Sequence, residues 1–95
     1  MIWKIKFHPL VVKEDLKKID PSWRKKIIKA IKKKLSLDPL GYGKPLKGTY
    51  KNYWKLRVGD YRVVYKVEKK EIVVYVIKVG IRKDYKVYKE LFYRL

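Results

Sequence analysis

Between residues 53 and 79 apolar and polar side chains alternate with a period of two, broken at Gly59-Asp60 and around Lys69-Lys70. That period puts successive side chains on opposite faces, so the stretch reads as a three-stranded antiparallel meander over 53–58, 61–67 and 72–79. With Gly59-Asp60 as a two-residue hairpin loop, Val58 faces Tyr61, Arg57 faces Arg62 and Trp54 faces Tyr65. Trp54, Leu56, Val58, Tyr61, Val63 and Tyr65 then share a face suited to a core, and Lys55, Arg57, Arg62 and Lys66 share the other. An ordinary solvated exterior would explain those cations equally well on composition alone. Against it, the same face continues on the next strand with the apolar Val73, Tyr75 and Ile77, which calls for a cover: the C-terminal helix or a protein partner.

The rest of the chain is read around this meander. Residues 2–7 alternate again, with Trp3, Ile5 and Phe7 opposite Lys4 and Lys6, as in a half-buried strand that His8-Pro9 stops. Val12, Leu16 and Ile19 recur at helical spacing over 11–19, and Asp20-Pro21-Ser22 ends one helix and starts the next. Trp23, Ile27, Ala30, Ile31 and Leu35 form the apolar stripe of that second helix. Two prolines and two glycines within 38–45 punctuate a loop, the best candidate for a mobile segment. Gly80 breaks the last strand, and 83–93 fits a short helix with Val87 and Leu91 on its apolar side. The expectation is an α+β fold in the order βααβββα: a small, mostly antiparallel sheet, two N-terminal helices packed on it and a short C-terminal helix. Ninety-five residues suit one domain spanning 1–95. Where the first strand inserts does not follow from the pattern.

Twenty-seven Lys and Arg against nine Asp and Glu leave a formal charge of +18. Such self-repulsion points to a polyanionic partner, nucleic acid first and an anionic membrane surface second. The longest apolar run, 72–77, is far too short to span a bilayer, and the N-terminus lacks the apolar stretch of a signal peptide, so a cytoplasmic protein without a membrane partner is expected. With no Cys there is no thiolate nucleophile and no disulfide framework. One His and scattered carboxylates give no basis for a metal site, and no cofactor is expected. His8, beside Pro9, suits a turn or packing role better than catalysis. RNA cleavage without metal stays open, because the 2′-hydroxyl beside the scissile phosphate supplies the nucleophile. The protein then has to neutralise the phosphate and provide for two proton transfers. Arg, Lys and Tyr can occupy such places, but as acids and bases they are mismatched to neutral pH, so slow chemistry is expected unless a larger scaffold orients the RNA.

Taken together, Pro45-Leu46-Lys47-Gly48, Tyr53-Trp54-Lys55-Leu56-Arg57, Asp60-Tyr61-Arg62-Val63-Val64-Tyr65 and Val76-Ile77-Lys78-Val79-Gly80-Ile81-Arg82, with Val87-Tyr88 beyond, resemble the RelE toxins of type II toxin–antitoxin modules. The Tyr-Arg-Val-Val-Tyr strand marks the wider RelE/ParE superfamily; the Gly-x-Arg turn followed six residues later by Tyr is more specific to its RNA-cutting branch. The resemblance implies a ribosome-dependent endoribonuclease that cuts messenger RNA in the decoding site. Its implied partners are the ribosome and a cognate antitoxin, and the free toxin is expected to be a monomer. It implies that Lys55 and Arg62 contact the scissile phosphate and that Arg82 stabilises or protonates the leaving oxygen. Tyr88 would lie near the 2′-hydroxyl, as base or as orienting group. Arg57 is implied to grip RNA, and Lys47, Lys51, Tyr53 and Lys66 complete the expected RNA-binding set. RelE toxins often carry a further Lys where this chain has Tyr53, with Lys51 as the nearby substitute. The alternative within the superfamily is a ParE-like gyrase inhibitor or an inactive binding relative.

Overall fold

A computed structural model of the protein describes residues 2–46, 52–81 and 94. Among these residues five strands form one sheet: β1 (Lys4–Phe7), β2 (Lys44–Pro45), β3 (Tyr53–Val58), β4 (Tyr61–Glu68) and β5 (Val73–Ile81). Their order across the sheet is β1-β5-β4-β3-β2. The meander is in the register that the alternation requires, with Trp54 opposite Tyr65, Arg57 opposite Arg62 and Val58 opposite Tyr61. Gly59 turns the hairpin at a φ of 58°, in the left-handed region where glycine carries no steric penalty, and Trp23 lies over it at 2.5 Å from where a Cβ would stand. The first strand, whose place the sequence left open, joins the far edge in parallel, pairing Lys4 with Val73 through Phe7 with Val76.

The helical layer lies between β1 and β2 in sequence and packs on one face of the sheet. Helix α1 (Pro21–Ala30) starts at Asp20, whose side chain accepts from Ser22 N, and carries Pro at its first position. It continues as a wider turn over Ile31–Leu35. Ile27, Ile31 and Leu35 are buried against Leu56, Val63, Tyr65, Val67, Val74, Val76 and Val79, with Trp3, Ile5, Phe7, Trp23, Trp54, Val58 and Tyr61 packed around them. The segment before it, Val11–Asp15 followed by Leu16–Lys18, is also helical but is wound irregularly. That winding corrects the expected stripe: Val12 is exposed, while Val11, Asp15, Leu16 and Ile19 face inward.

Three further expectations need adjustment. The 38–45 stretch is structured rather than a plain loop: Asp38 caps the turn α2 (Pro39–Tyr42) by accepting from Gly41 N at 3.0 Å, and β2 follows. Tyr65 Oη donates to Pro39 O at 2.6 Å. Burial first, and then the Asp38 carboxylate, push that phenol well above its ordinary pKa, so it stays protonated and remains a donor. A methyl group at Gly43 would collide with the Tyr65 hydroxyl and stand 2.9 Å from Lys55 O. Gly43→Ala is therefore expected to lower stability by about 1–3 kcal/mol, read as a shifted urea midpoint. Secondly, β5 does not stop at Gly80 but runs to Ile81, with Gly80 opposite Arg62. Thirdly, Ile72 belongs to the turn before β5, at a φ of 56°, and not to the strand. The expected C-terminal helix over 83–93 lies outside the described residues.

A buried ionic cluster closes the exposed side of β5. β1 ends its pairing at Val76, and a register shift opposite Val64/Tyr65 inserts Ile77 as an extra residue. Carbonyls of both Val76 and Ile77 consequently face the β1 side: Val76 O accepts from His8 N at 2.8 Å, and Ile77 O from Arg94 Nη1 at 3.0 Å. Asp15 takes the next place, accepting from Val79 N at 2.9 Å, from Lys78 Nζ at 3.0 Å and from Arg94 at 2.6 and 2.9 Å. Side chains thus finish a ladder that, among the described residues, no strand continues. His8 acts in a turn, its Nδ1 accepting from Leu10 N at 3.1 Å.

Candidate nucleic-acid interface

The second face of the sheet carries the candidate site. Lys44 pairs with Lys55, and Arg57 with Arg62. Because residues two apart on a strand share a face, Lys55, Arg57 and Arg62 project from the same side, with Lys44 joining them from β2. β2 is only two residues long, so among the described residues no strand lies beside the edge of β3 beyond Lys55. A cleft of about 450 Å³ opens there, lined by Lys34, Tyr42, Lys44, Lys55, Leu56, Arg57 and Arg62. Five of these seven residues are cations and none is a carboxylate. Gly80, opposite Arg62 on β5, adds no side chain beside the guanidinium.

Sheet pairing holds like charges together here. Arg57 directly opposite Arg62, and Lys44 directly opposite Lys55, each cost on the order of a few tenths of a kcal/mol, and a bound anion reverses the sign. Arg57 is exposed and its Nε donates to Gly59 O at 3.4 Å, a long bond that leaves the guanidinium at the mouth. Lys55 and Arg62 are half-buried. Tyr42, at the end of α2, is 53% exposed, and Lys34 Nζ stands 5.8 Å from the centre of its ring.

Of the residues singled out from the sequence, Lys55, Arg57 and Arg62 meet in the cleft. Tyr53 and Lys66 do not line it. Tyr53 packs beside the buried pair Val64 and Ile77, together with Leu46 and Tyr75, which accounts for the apolar half of this face. Lys66 pairs with Glu68 at 2.8 Å, and the hydrogen bond that its ammonium donates to that carboxylate raises its pKa above the ordinary range. Lys47, Lys51, Arg82 and Tyr88 lie outside the described residues; Ile81, the residue before Arg82, pairs with Tyr61 at the hairpin end of β4. Sequence reading missed Lys34, Tyr42 and Lys44. Their signal was weak, since Lys34 was one of many helix lysines and the other two sat in a stretch read as loop.

Among the described residues no group of three His, Cys, Asp or Glu is placed to hold a metal ion. No helix among them is long and apolar enough to cross a membrane.

Comparison with known proteins gives this fold and cleft a context. No curated protein sequence matches the chain. Solved structures do: the RelBE2 toxin–antitoxin complex of Mycobacterium tuberculosis has a chain 26% identical, with a TM-score of 0.81 over 86% of this chain and 100% of that one. A mutant Escherichia coli toxin RelE in the free state is 25% identical, with a TM-score of 0.78 over 100% and 99% of the two chains. The same toxin in complex with a peptide of its antitoxin is 30% identical, with a TM-score of 0.68 over 95% and 94%. The sequence model of the ParE toxin of the type II toxin–antitoxin system parDE matches residues 5–85. With most of its length matched in this way, and with the sheet and helices of RelE toxins, the chain belongs to the ParE toxin family of type II toxin–antitoxin systems, within the RelE/ParE superfamily.

Proposed function

We propose that this toxin is a ribosome-dependent endoribonuclease that cuts messenger RNA in the decoding site without a metal ion, and that the cationic cleft on the β3 edge receives the scissile phosphate. The observation that carries the reading is the convergence of Lys44, Lys55, Arg57 and Arg62 from three strands, with Lys34 from the helical layer, on one cleft whose described lining residues include no carboxylate. In the reaction the 2′-oxygen attacks phosphorus while the bond to the 5′-oxygen breaks. The 2′-hydroxyl proton leaves to a base and another proton reaches the departing 5′-oxygen, giving a 2′,3′-cyclic phosphate and a 5′-hydroxyl. Lys55 and Arg62 stabilise the charge that builds on the non-bridging oxygens, which is worth most where water is partly excluded. Following the resemblance, Arg82 serves the leaving oxygen and Tyr88 the 2′-hydroxyl. Arg57, Lys34 and Lys44 hold the flanking backbone, and the remaining basic surface meets ribosomal RNA.

An antitoxin belongs to this reading, since the similar toxin of M. tuberculosis is in complex with its antitoxin and that of E. coli with an antitoxin peptide. An acidic, partly apolar segment suits a toxin of charge +18. The experiment is translation of a defined message with the purified toxin, followed by mapping of the new ends: Arg82→Ala plus Tyr88→Phe should suppress cuts within codons. Undiminished cleavage would remove both residues from the mechanism. Backbone grip has its own readout. Arg57→Gln is expected to reduce the slope of log affinity for single-stranded RNA against log salt by about 0.7, the share of one phosphate contact.

A second reading is favoured by the description of the matching family, whose namesake is ParE. In it the protein arrests growth by inhibiting gyrase. A supercoiling assay separates the two: gyrase inhibition with intact messages during arrest supports the ParE-like reading, and cut messages with unimpaired supercoiling support the ribonuclease.

A further inference from the structure

We infer that Tyr42 is a stacking platform for a nucleobase of the single-stranded RNA whose backbone the cleft holds; the inference rests on the RNA-cleft reading and adds how the base next to a bound phosphate is received. Tyr42 lines the same cleft as Lys34, Lys44, Lys55, Arg57 and Arg62, yet the residue is 53% exposed, although large aromatic residues usually bury most of their surface. The ring is carried on a firmly held turn. Asp38 caps α2 with an exposed hydrogen bond, Tyr65 Oη donates to Pro39 O in a buried one, and Gly43 packs against the Tyr65 hydroxyl, so specific contacts hold the backbone on both sides of Tyr42. Lys34, 5.8 Å from the ring centre, places a positive charge beside the aromatic surface. An exposed π-surface on a rigid support, next to cations spaced along a backbone track, is the arrangement by which single strands are held without reading their sequence. Duplex RNA keeps its bases stacked on one another and cannot offer one to such a ring.

The test measures binding, not cleavage. A fluorescently labelled 2′-O-methyl uridine hexamer, which lacks the nucleophilic hydroxyl, is compared with an abasic chain carrying the same number of phosphates. Tyr42→Ala is expected to weaken binding of the hexamer about tenfold and to leave binding of the abasic chain unchanged. Tyr42→Phe keeps the ring and should bind both probes like the wild type, and Tyr42→Trp should bind the hexamer more tightly. Equal losses on the two probes with Tyr42→Ala, or a loss on neither, would overturn the stacking role. Lys55→Ala separates this from the underlying reading: if it weakens neither probe, the cleft is not an RNA site, whereas if it weakens both while Tyr42→Ala has no effect, the cleft stands and the platform falls.

Discussion

Replacing Arg62 with alanine is expected to slow message cleavage on the ribosome by at least about a hundredfold, and Lys55→Ala plus Arg62→Ala to bring it to background, as read by mapping message ends during translation. The size follows from where the side chains sit. Arg62 is half-buried, faces Arg57 across β4 and β3 and Gly80 across β4 and β5, and shares its cleft with Lys55. A cation fixed beside developing phosphorane charge acts mainly in the transition state, so its loss should lower the cleavage rate far more than RNA affinity. Lys66→Ala is the control on the same face. Its ammonium is engaged by Glu68 and does not line the cleft, and an exposed pair of this kind is worth less than about 1 kcal/mol, so a change of under about threefold is expected. Comparable losses for Lys66→Ala and Arg62→Ala would mean that general basicity, and not the cleft, drives cleavage.

The largest effect on stability is expected at Asp15. Its side chain is 1% exposed and those of Arg94 and Lys78 are 3% and 8% exposed, so Asp15→Ala removes the carboxylate that these two buried cations share, leaving Arg94 only Glu14 at 3.7 Å as a described anionic partner, and takes away the acceptor of Val79 N. Removing one partner of a buried ionic cluster typically costs about 3–5 kcal/mol, most of it the desolvation of the charges left behind. Urea unfolding should therefore show a sharply lowered midpoint. Asp15→Asn, which keeps an acceptor for Val79 N but loses the charge, should fall between. A loss below about 1 kcal/mol for Asp15→Ala would show that water reaches the cluster and replaces the carboxylate.

Local pattern encodes part of this fold and tertiary context the rest. The hairpin was legible because Gly59-Asp60 fixes its register and a slip of one residue would turn Leu56, Val63 and Tyr65 out of the core. The inward sides of β1 and α1 were legible from their periods, as shown by Trp3, Ile5 and Phe7 and by Ile27, Ile31 and Leu35. Irregular geometry defeated the same method. Irregular winding over Val11–Asp15 brings Val11 inward in place of Val12 and buries Asp15, a residue that an amphipathic reading assigns to solvent. The extra residue in β5 reverses which edge its later carbonyls face, and only long-range partners, Asp15 and Arg94, reveal that. At the site, Lys55, Arg57 and Arg62 followed from strand register. Lys34, Tyr42 and Lys44 did not, because their meeting depends on the Asp38 cap and on Tyr65 beneath Pro39, contacts that no periodicity encodes.

In the proposed reaction RNA supplies its own nucleophile while this cleft holds the phosphate. The most direct measurement places a single 2′-deoxyribose at the cleaved position of a message held in a programmed ribosome, and compares it with the all-ribose message. Cleavage at that position should disappear with the deoxyribose, and the all-ribose control should yield a 2′,3′-cyclic phosphate and a 5′-hydroxyl. Equal cleavage of both messages would contradict the account, because the nucleophile would then come from elsewhere.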